Sequence, residues 1–247
     1  MSTEMTPIEA ARSSAKAIQE LPATFMMDMQ TYIDAAELGY EGIAFYYAGR
    51  GGVLGDVDAA TVATAFFFFP HDSVKSGWES AAAVESRQSS AERFAGAAHR
   101  WAVEHMADGE LDYERLADLA GRVVAAADGT SAPVFEGWRR LEEPSGEREL
   151  VLHRLNALRE LRAARHAEAV QEVGLEPVEA FMVRTPHMAG IFGWPEPESG
   201  PDDATRAAWE RAEELTDERF GSDLSVLDPA ELAEFCDLAA AALEAAS

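Results

Sequence analysis

Apolar residues recur at three- and four-residue spacing from one end of the chain to the other, and sustained two-residue alternation is nearly absent. A period of 3.6 residues gathers such positions on one helical face, so the pattern predicts an all-α protein, a multi-helix bundle of about ten to twelve helices with no significant sheet. Helices are predicted at 7–20, 28–38, 41–49, 58–69, 71–82, 90–107, 112–127, 133–142, 147–173, 177–184, 203–219 and 229–245. Three of the starts carry capping chemistry: Thr6 with Glu9 and Pro7, Ser89 with Glu92, and Asp228 with Glu231 and Pro229. In each, a side-chain oxygen can satisfy an orphan amide of the first turn while the acid three residues on reaches back.

Phe66, Phe67, Phe68 and Phe69 have no period of their own. Following Asp58 to Thr64 and ending at Pro70, they read as the end of a helix buried on most sides. A central strand is the alternative, and no partner strand is legible. Two segments are predicted non-helical: the glycine-dense turn Gly49 to Gly55, read as a tight corner between helices, and Thr185 to Pro201. The second still carries Ile191, Phe192 and Trp194, so it is expected to pack onto something. The whole of 1–247 is expected to be one helical domain, dividing at most into lobes 1–144 and 145–247 that share a pocket.

Composition narrows function by exclusion. The formal charge is −25, from 45 acidic and 20 basic residues, and such a chain meets phosphate mainly with repulsion, so nucleic acid is not the expected partner. Neither is a membrane: no stretch approaches the length of a span, and the N-terminus lacks a basic segment followed by an apolar run. The single cysteine, Cys236, allows no intrachain disulfide, and a cytoplasmic location is expected. Only Lys16 and Lys75 are lysines, so most cationic sites are arginine forks. The acids crowd toward the C-terminus, where a solvated acidic face is the simplest reading.

One segment runs against the charge. Between 148 and 168, Arg148, Arg154, Arg159, Arg162 and Arg165 outnumber Glu149, Glu160 and Glu168. On a helical wheel Val151, Leu152, Leu155, Leu158, Val170 and Val173 share one face, and Arg159, Arg162 and His166 fall in its middle, with His153, Asn156 and Glu160 opposite. A guanidinium facing a core needs a carboxylate or an anionic ligand. Both answers stay open: acids of a neighbouring helix could satisfy the arginines, or they could bind the carboxylate of a planar ligand between apolar walls. Tyr46, Tyr47, Phe66 to Phe69, Met26, Met27 and Met29 are the candidate walls. His166, whose ordinary pKa lies nearest neutrality, is the candidate acid/base.

Other chemistry finds little support. No metal is expected, since His99 and His105 face different sides of a helix, HExxH is absent and His71-Asp72 stands alone. There is no GxSxG, and Cys236 sits on an acidic helix that would raise its pKa. The glycine turn lacks a Gly-Lys-Ser/Thr ending and a preceding strand, so it is not a phosphate loop. The sequence does not identify a cofactor.

Two blocks carry a family likeness. Phe45-Tyr46-Tyr47-Ala48-Gly49-Arg50-Gly51-Gly52-Val53-Leu54-Gly55, followed by Thr61 to Phe67, resembles the GYFAxRAAPLG…VTATFY signature of the SalK/EvbL-type helical proteins, often labelled helix-turn-helix. Leu152 to His166 is similar to that family's LWHxxTLLREHRGDGH, matching at His153, Arg159, Glu160, Arg162 and His166. Weaker agreement continues through Gly174-Leu175, Glu179-Ala180 and Glu214 to Asp217. The chain departs at Leu161, where the family has a second histidine, and at Ala163 to Arg165, where it has GDG. After Gly193-Trp194 only Pro195 to Asp203 precede the next helix, too little for a recognition helix and wing. The helix-turn-helix label is therefore not expected to carry over.

The resemblance implies an association with specialised metabolism. The resulting expectation is a protein that binds a small anionic, partly aromatic organic ligand in a buried helical pocket, as an enzyme of specialised metabolism. Its site would comprise His166 as catalyst with Arg159, Arg162, His153, Glu160, Tyr46, Tyr47, Arg50 and Phe66 as ligand-binding residues. A non-catalytic carrier or sensor for a tetrapyrrole-like compound is the alternative, and a transcription regulator ranks last. An oligomer is compatible with the sequence.

Overall fold

The computed structural model describes residues 4–107, 109, 111–196 and 199–246. Among them are thirteen α-helices and no strand. In chain order the helices are α1 (Pro7–Met27), α2 (Met29–Glu37), α3 (Ala44–Gly51), α4 (Ala59–Ala65), α5 (His71–Ala81), α6 (Arg87–His105), α7 (Tyr113–Ala126), α8 (Pro133–Trp138), α9 (Glu147–Val173), α10 (Pro177–Arg184), α11 (Ala189–Phe192), α12 (Asp203–Leu224) and α13 (Pro229–Ala245). Two short 3₁₀ turns lie at Gly52–Leu54 and Pro186–Met188. The all-α reading holds.

Helix α9 is the axis, packed against α1, α6, α7, α8 and α12. Burial therefore reaches round it. Its polar residues His153, Asn156, Glu160, Arg162 and His166 are buried along with its leucines. The side predicted to oppose the apolar face meets protein instead: His153 reaches His99 of α6, and Glu160 reaches Arg50 of α3. Around this axis α1 packs on α12 and α13, α3 lies between α5 and α6, and α4 packs on α5.

The capping boxes at Thr6 and Asp228 form as predicted. The one at Ser89 does not. Helix α6 starts one turn earlier, with the Ser86 hydroxyl accepting from the Ser89 amide. Helix α1 also runs past 20 to Met27, carrying Pro22 inside it.

The aromatic run leaves the helix rather than ending it. Helix α4 stops at Ala65, and Phe66 takes φ −95° and ψ 51°. Four consecutive rings on a helix would point to all sides, solvent included; an irregular turn lets each ring find protein. The glycine segment does the reverse. Gly49 to Gly51 are helical, and a Cβ on Gly49 would stand 2.6 Å from Phe94 Cβ. This glycine is there for the close approach of α3 to α6, not for a corner. The 185–201 segment, expected to be non-helical, instead carries the 3₁₀ turn Pro186–Met188 and α11, with residues 197 and 198 outside the described residues; it packs as expected through Phe192, which is buried, and through Trp194, whose indole N–H donates to the Phe68 carbonyl at 3.2 Å. Ile191 stays exposed.

Candidate functional site

Behind the Phe66–Phe69 turn lie two neighbouring cavities, each partly open to solvent. One, of about 660 Å³, is lined by Met26, Met27, Tyr46, Arg50, Phe68, Phe69, Arg159, Arg162, His166, Phe181, Arg184, Phe192 and Trp209, among others. The other, of about 550 Å³, touches Leu54, Thr61, Thr64, Phe66, Phe67, Val134, Glu160 and Gln171. Arg50, Phe68, Phe69 and Ala163 border both.

Arg50 and Glu160 form the polar centre of this partition. Arg50 Nε and Nη2 donate to the two oxygens of Glu160 at 2.7 and 2.8 Å, and Nη1 donates to the Tyr46 hydroxyl at 3.1 Å. The guanidinium lies 4.6 Å from the centre of the Phe66 ring, and the Arg50 carbonyl accepts from the Trp138 indole. Arg159 Nη1 adds a third bond to Glu160 at 3.1 Å. Burial favours the neutral acid, but the arginine charges outweigh it and hold the Glu160 carboxyl below the usual carboxylate range.

A second cluster surrounds His166. Its Nδ1 lies 2.8 Å from the Thr216 hydroxyl, which itself donates to the Ala212 carbonyl at 2.6 Å. The hydroxyl proton is thus committed, so Nδ1 carries the ring proton and Nε2 keeps its lone pair. That Nε2 is buried without a hydrogen-bond partner, 3.7 Å from Glu213 Oε1, which is equally unpartnered. Burial pushes the His166 pKa down to about 4, with Arg162 and Arg184 reinforcing the shift against Glu213. Near neutral pH the ring is uncharged. It stacks on Phe68 at 5.3 Å between centroids and meets Trp209 edge-on at 4.7 Å.

Arg159 and Arg162 thus have internal carboxylates: Glu160 for the first, Glu213 at 2.8 Å and Asp217 at 3.7 Å for the second. A cavity nevertheless touches both, so the two answers posed from the sequence are not exclusive. Of the predicted residues, Tyr46, Arg50, Arg159, Arg162 and His166 come together on the larger cavity, while Phe66 and Glu160 face the smaller. Tyr47 lines neither and packs on Tyr46, Phe66 and Phe69. His153 lies apart, its Nδ1 3.2 Å from His99 Nε2, and Met29 is on the surface. Sequence reasoning missed Phe181, Arg184, Phe192 and Trp209. Their elements show apolar spacing but nothing that says which cavity they reach.

Among the described residues no group of three or more His, Cys, Asp or Glu side chains is placed to hold a metal ion. Among them also no helix is long and apolar enough to cross a membrane.

Comparison with known proteins gives one match. A profile described as a helix-turn-helix family matches residues 11–247. No curated protein and no solved structure is significantly similar. The match corrects two expectations. The helix-turn-helix label, not expected to carry over, does apply. And the enzyme of specialised metabolism, with its alternative of a ligand or tetrapyrrole carrier, is overturned by the match, which points toward a regulator-like role, the reading ranked last from charge and the missing wing.

Proposed function

The chain belongs to this helix-turn-helix family, and on that footing we propose a regulator-like role in which α4 and α5 are the helix-turn-helix unit. The short turn Phe66–Pro70 joins them. Helix α5 buries Val74, Gly77, Trp78 and Ala81 against its neighbours and leaves His71, Asp72, Ser76, Glu79 and Ser80 exposed. That outer face is where a second helix of such a unit makes its contacts. The observation that carries the reading is that the turn of this unit is also a cavity wall. Phe68 and Phe69 line the larger cavity, so the segment that sets the start of α5 has free volume behind it.

The two sequence blocks that carry the finer likeness to SalK/EvbL-type proteins meet one another. Arg50 of the first grips Glu160 of the second with both carboxylate oxygens. Charge bears on the partner: with Asp72, Lys75 and Glu79 along α5 and −25 overall, attraction to a phosphate backbone is weak, which favours contact through a partner protein over autonomous duplex binding.

Transcript profiling tests the role. Deleting the gene should change a defined set of transcripts. Re-supplied protein carrying Ser76→Trp and Ser80→Trp, with an unchanged melting temperature, should fail to restore them. An unchanged transcript profile on deletion, or full restoration by the outer-face variant, would refute the proposal. Purified protein that binds genomic fragments at physiological salt would move the contact from a partner protein to DNA.

A further inference from the structure

The aromatic run leaves one ring unlike the others. Phe66 is buried beneath the Arg50 guanidinium. Phe69 is held by five rings, those of Tyr46, Tyr47, Phe66, Phe181 and Phe192. Phe67 faces only the smaller cavity. Phe68 borders both cavities, is only half-buried, and has two ring contacts, a stack on His166 and an edge contact with Phe67 at 5.0 Å, beside its packing on the small apolar cluster that includes Val170 and Leu215. Close packing normally denies a core aromatic any second position, but here there is empty volume on either side.

We propose that Phe68 is a two-position gate in the partition between the cavities. Stacked on His166 it closes the wall; turned away it joins the two spaces. Its backbone makes the movement consequential. The Phe68 carbonyl accepts the Trp194 indole, tying the turn to the segment after α11, and α5 begins three residues later at His71. A ring that leaves its stack therefore loosens the turn that sets α5. This rests on the reading of α4 and α5 as the output unit only for its consequence, since the gate itself is a property of the cavities.

Discrete alternatives in packed elements interconvert in microseconds to milliseconds, a range that relaxation dispersion reads. In the full chain with ¹³C-labelled phenylalanine rings, Phe68, assigned through Phe68→Leu, should show exchange. The amides of residues 71–81 should show the same rate, and those of α13 should show none. Hydrogen exchange gives the second measure. Phe68→Leu, which weakens the stack, should speed exchange in residues 71–81 by about tenfold, whereas Phe67→Leu should not, and His166→Phe, which keeps an aromatic face for the stack, should stay close to wild type. A rigid Phe68 ring, an α5 rate unrelated to it, or equal loosening by Phe67→Leu would overturn the gate. If Phe68→Leu does not fold, dispersion in the wild-type chain still decides. Loss of the gate would leave the α5 transcript test standing, and failure of that test would leave the dispersion result standing.

Discussion

Replacing Glu160 by glutamine tests the polar centre of the partition. Glu160 and Arg50 are 3% and 5% exposed, so neither can recruit bulk water when the other changes. The carboxylate accepts three guanidinium bonds, at 2.7, 2.8 and 3.1 Å. A glutamine offers one acceptor oxygen and turns an N–H₂ donor toward guanidinium donors, leaving Arg50 charged and short of a partner. Removing one member of a buried ion pair costs about 3–5 kcal/mol, which for a chain of this size lowers Tm by about 6–20 °C. Urea unfolding of Glu160→Gln beside Glu214→Gln, whose carboxylate meets Arg211 on the surface, measures the difference: the first should drop steeply and the second stay at the wild-type midpoint. A paired change, Arg50→Met with Glu160→Leu, should recover part of the loss, because it removes the buried Arg50 charge along with its partner and leaves only the more exposed Arg159 without its carboxylate. The sign with pH follows. The folded pKa of Glu160 lies below the ordinary value of about 4.3, so its contribution is complete above that pH and fades as pH falls through the lower folded value. A Glu160→Gln midpoint close to wild type would refute the reasoning.

Three further outcomes are expected. His153 and His166 are both pushed down to about 4, by burial first and then by neighbouring cations or His99. Their neutral forms stabilise the fold fully above pH about 6.5, and that stability should be lost as pH falls from there toward 4, as the unfolded chain binds protons first; urea midpoints against pH should flatten over this range in His153→Gln. Gly77→Ala would place a Cβ 2.5 Å from Tyr47 Cδ2 where α5 crosses α3, so the variant should lose about 1–3 kcal/mol in urea unfolding, and a neutral result would show that α5 can shift freely on α3. The Cys236 thiol is pushed up to about 11 by burial and then by Asp237, so iodoacetamide at pH 8 should leave it unmodified in native protein and label it in urea, as intact-mass measurement would show.

Much of the helical framework was legible because its signals are local. A hydroxyl or carboxylate at Thr6 or Asp228 caps its own helix wherever that helix later packs. The failures are of another kind. Phe66–Phe69 reads as helix by continuation, yet the rings are satisfied only by leaving it. Gly49 reads as a turn because the sequence does not show Phe94 lying across it. In the candidate site, the wheel correctly brought Arg159, Arg162 and His166 together. It could not show that Glu160 has Arg50 for a partner, or that Arg184 and Trp209 close the same space from α10 and α12.

By itself, then, the sequence determined an all-helical chain, the position of most helices, and an arginine-rich stretch whose charges needed answering. Tertiary structure alone decided that five helices surround the middle of α9, so that His153, Asn156, Glu160, Arg162 and His166 are all buried. It decided that Arg50 answers Glu160 across 110 residues of chain, and that the aromatic run became a wall with space on either side. Capping and helical period act within one turn of backbone. Burial, ion pairing and cavities depend on which distant segments meet, and no local pattern specifies that.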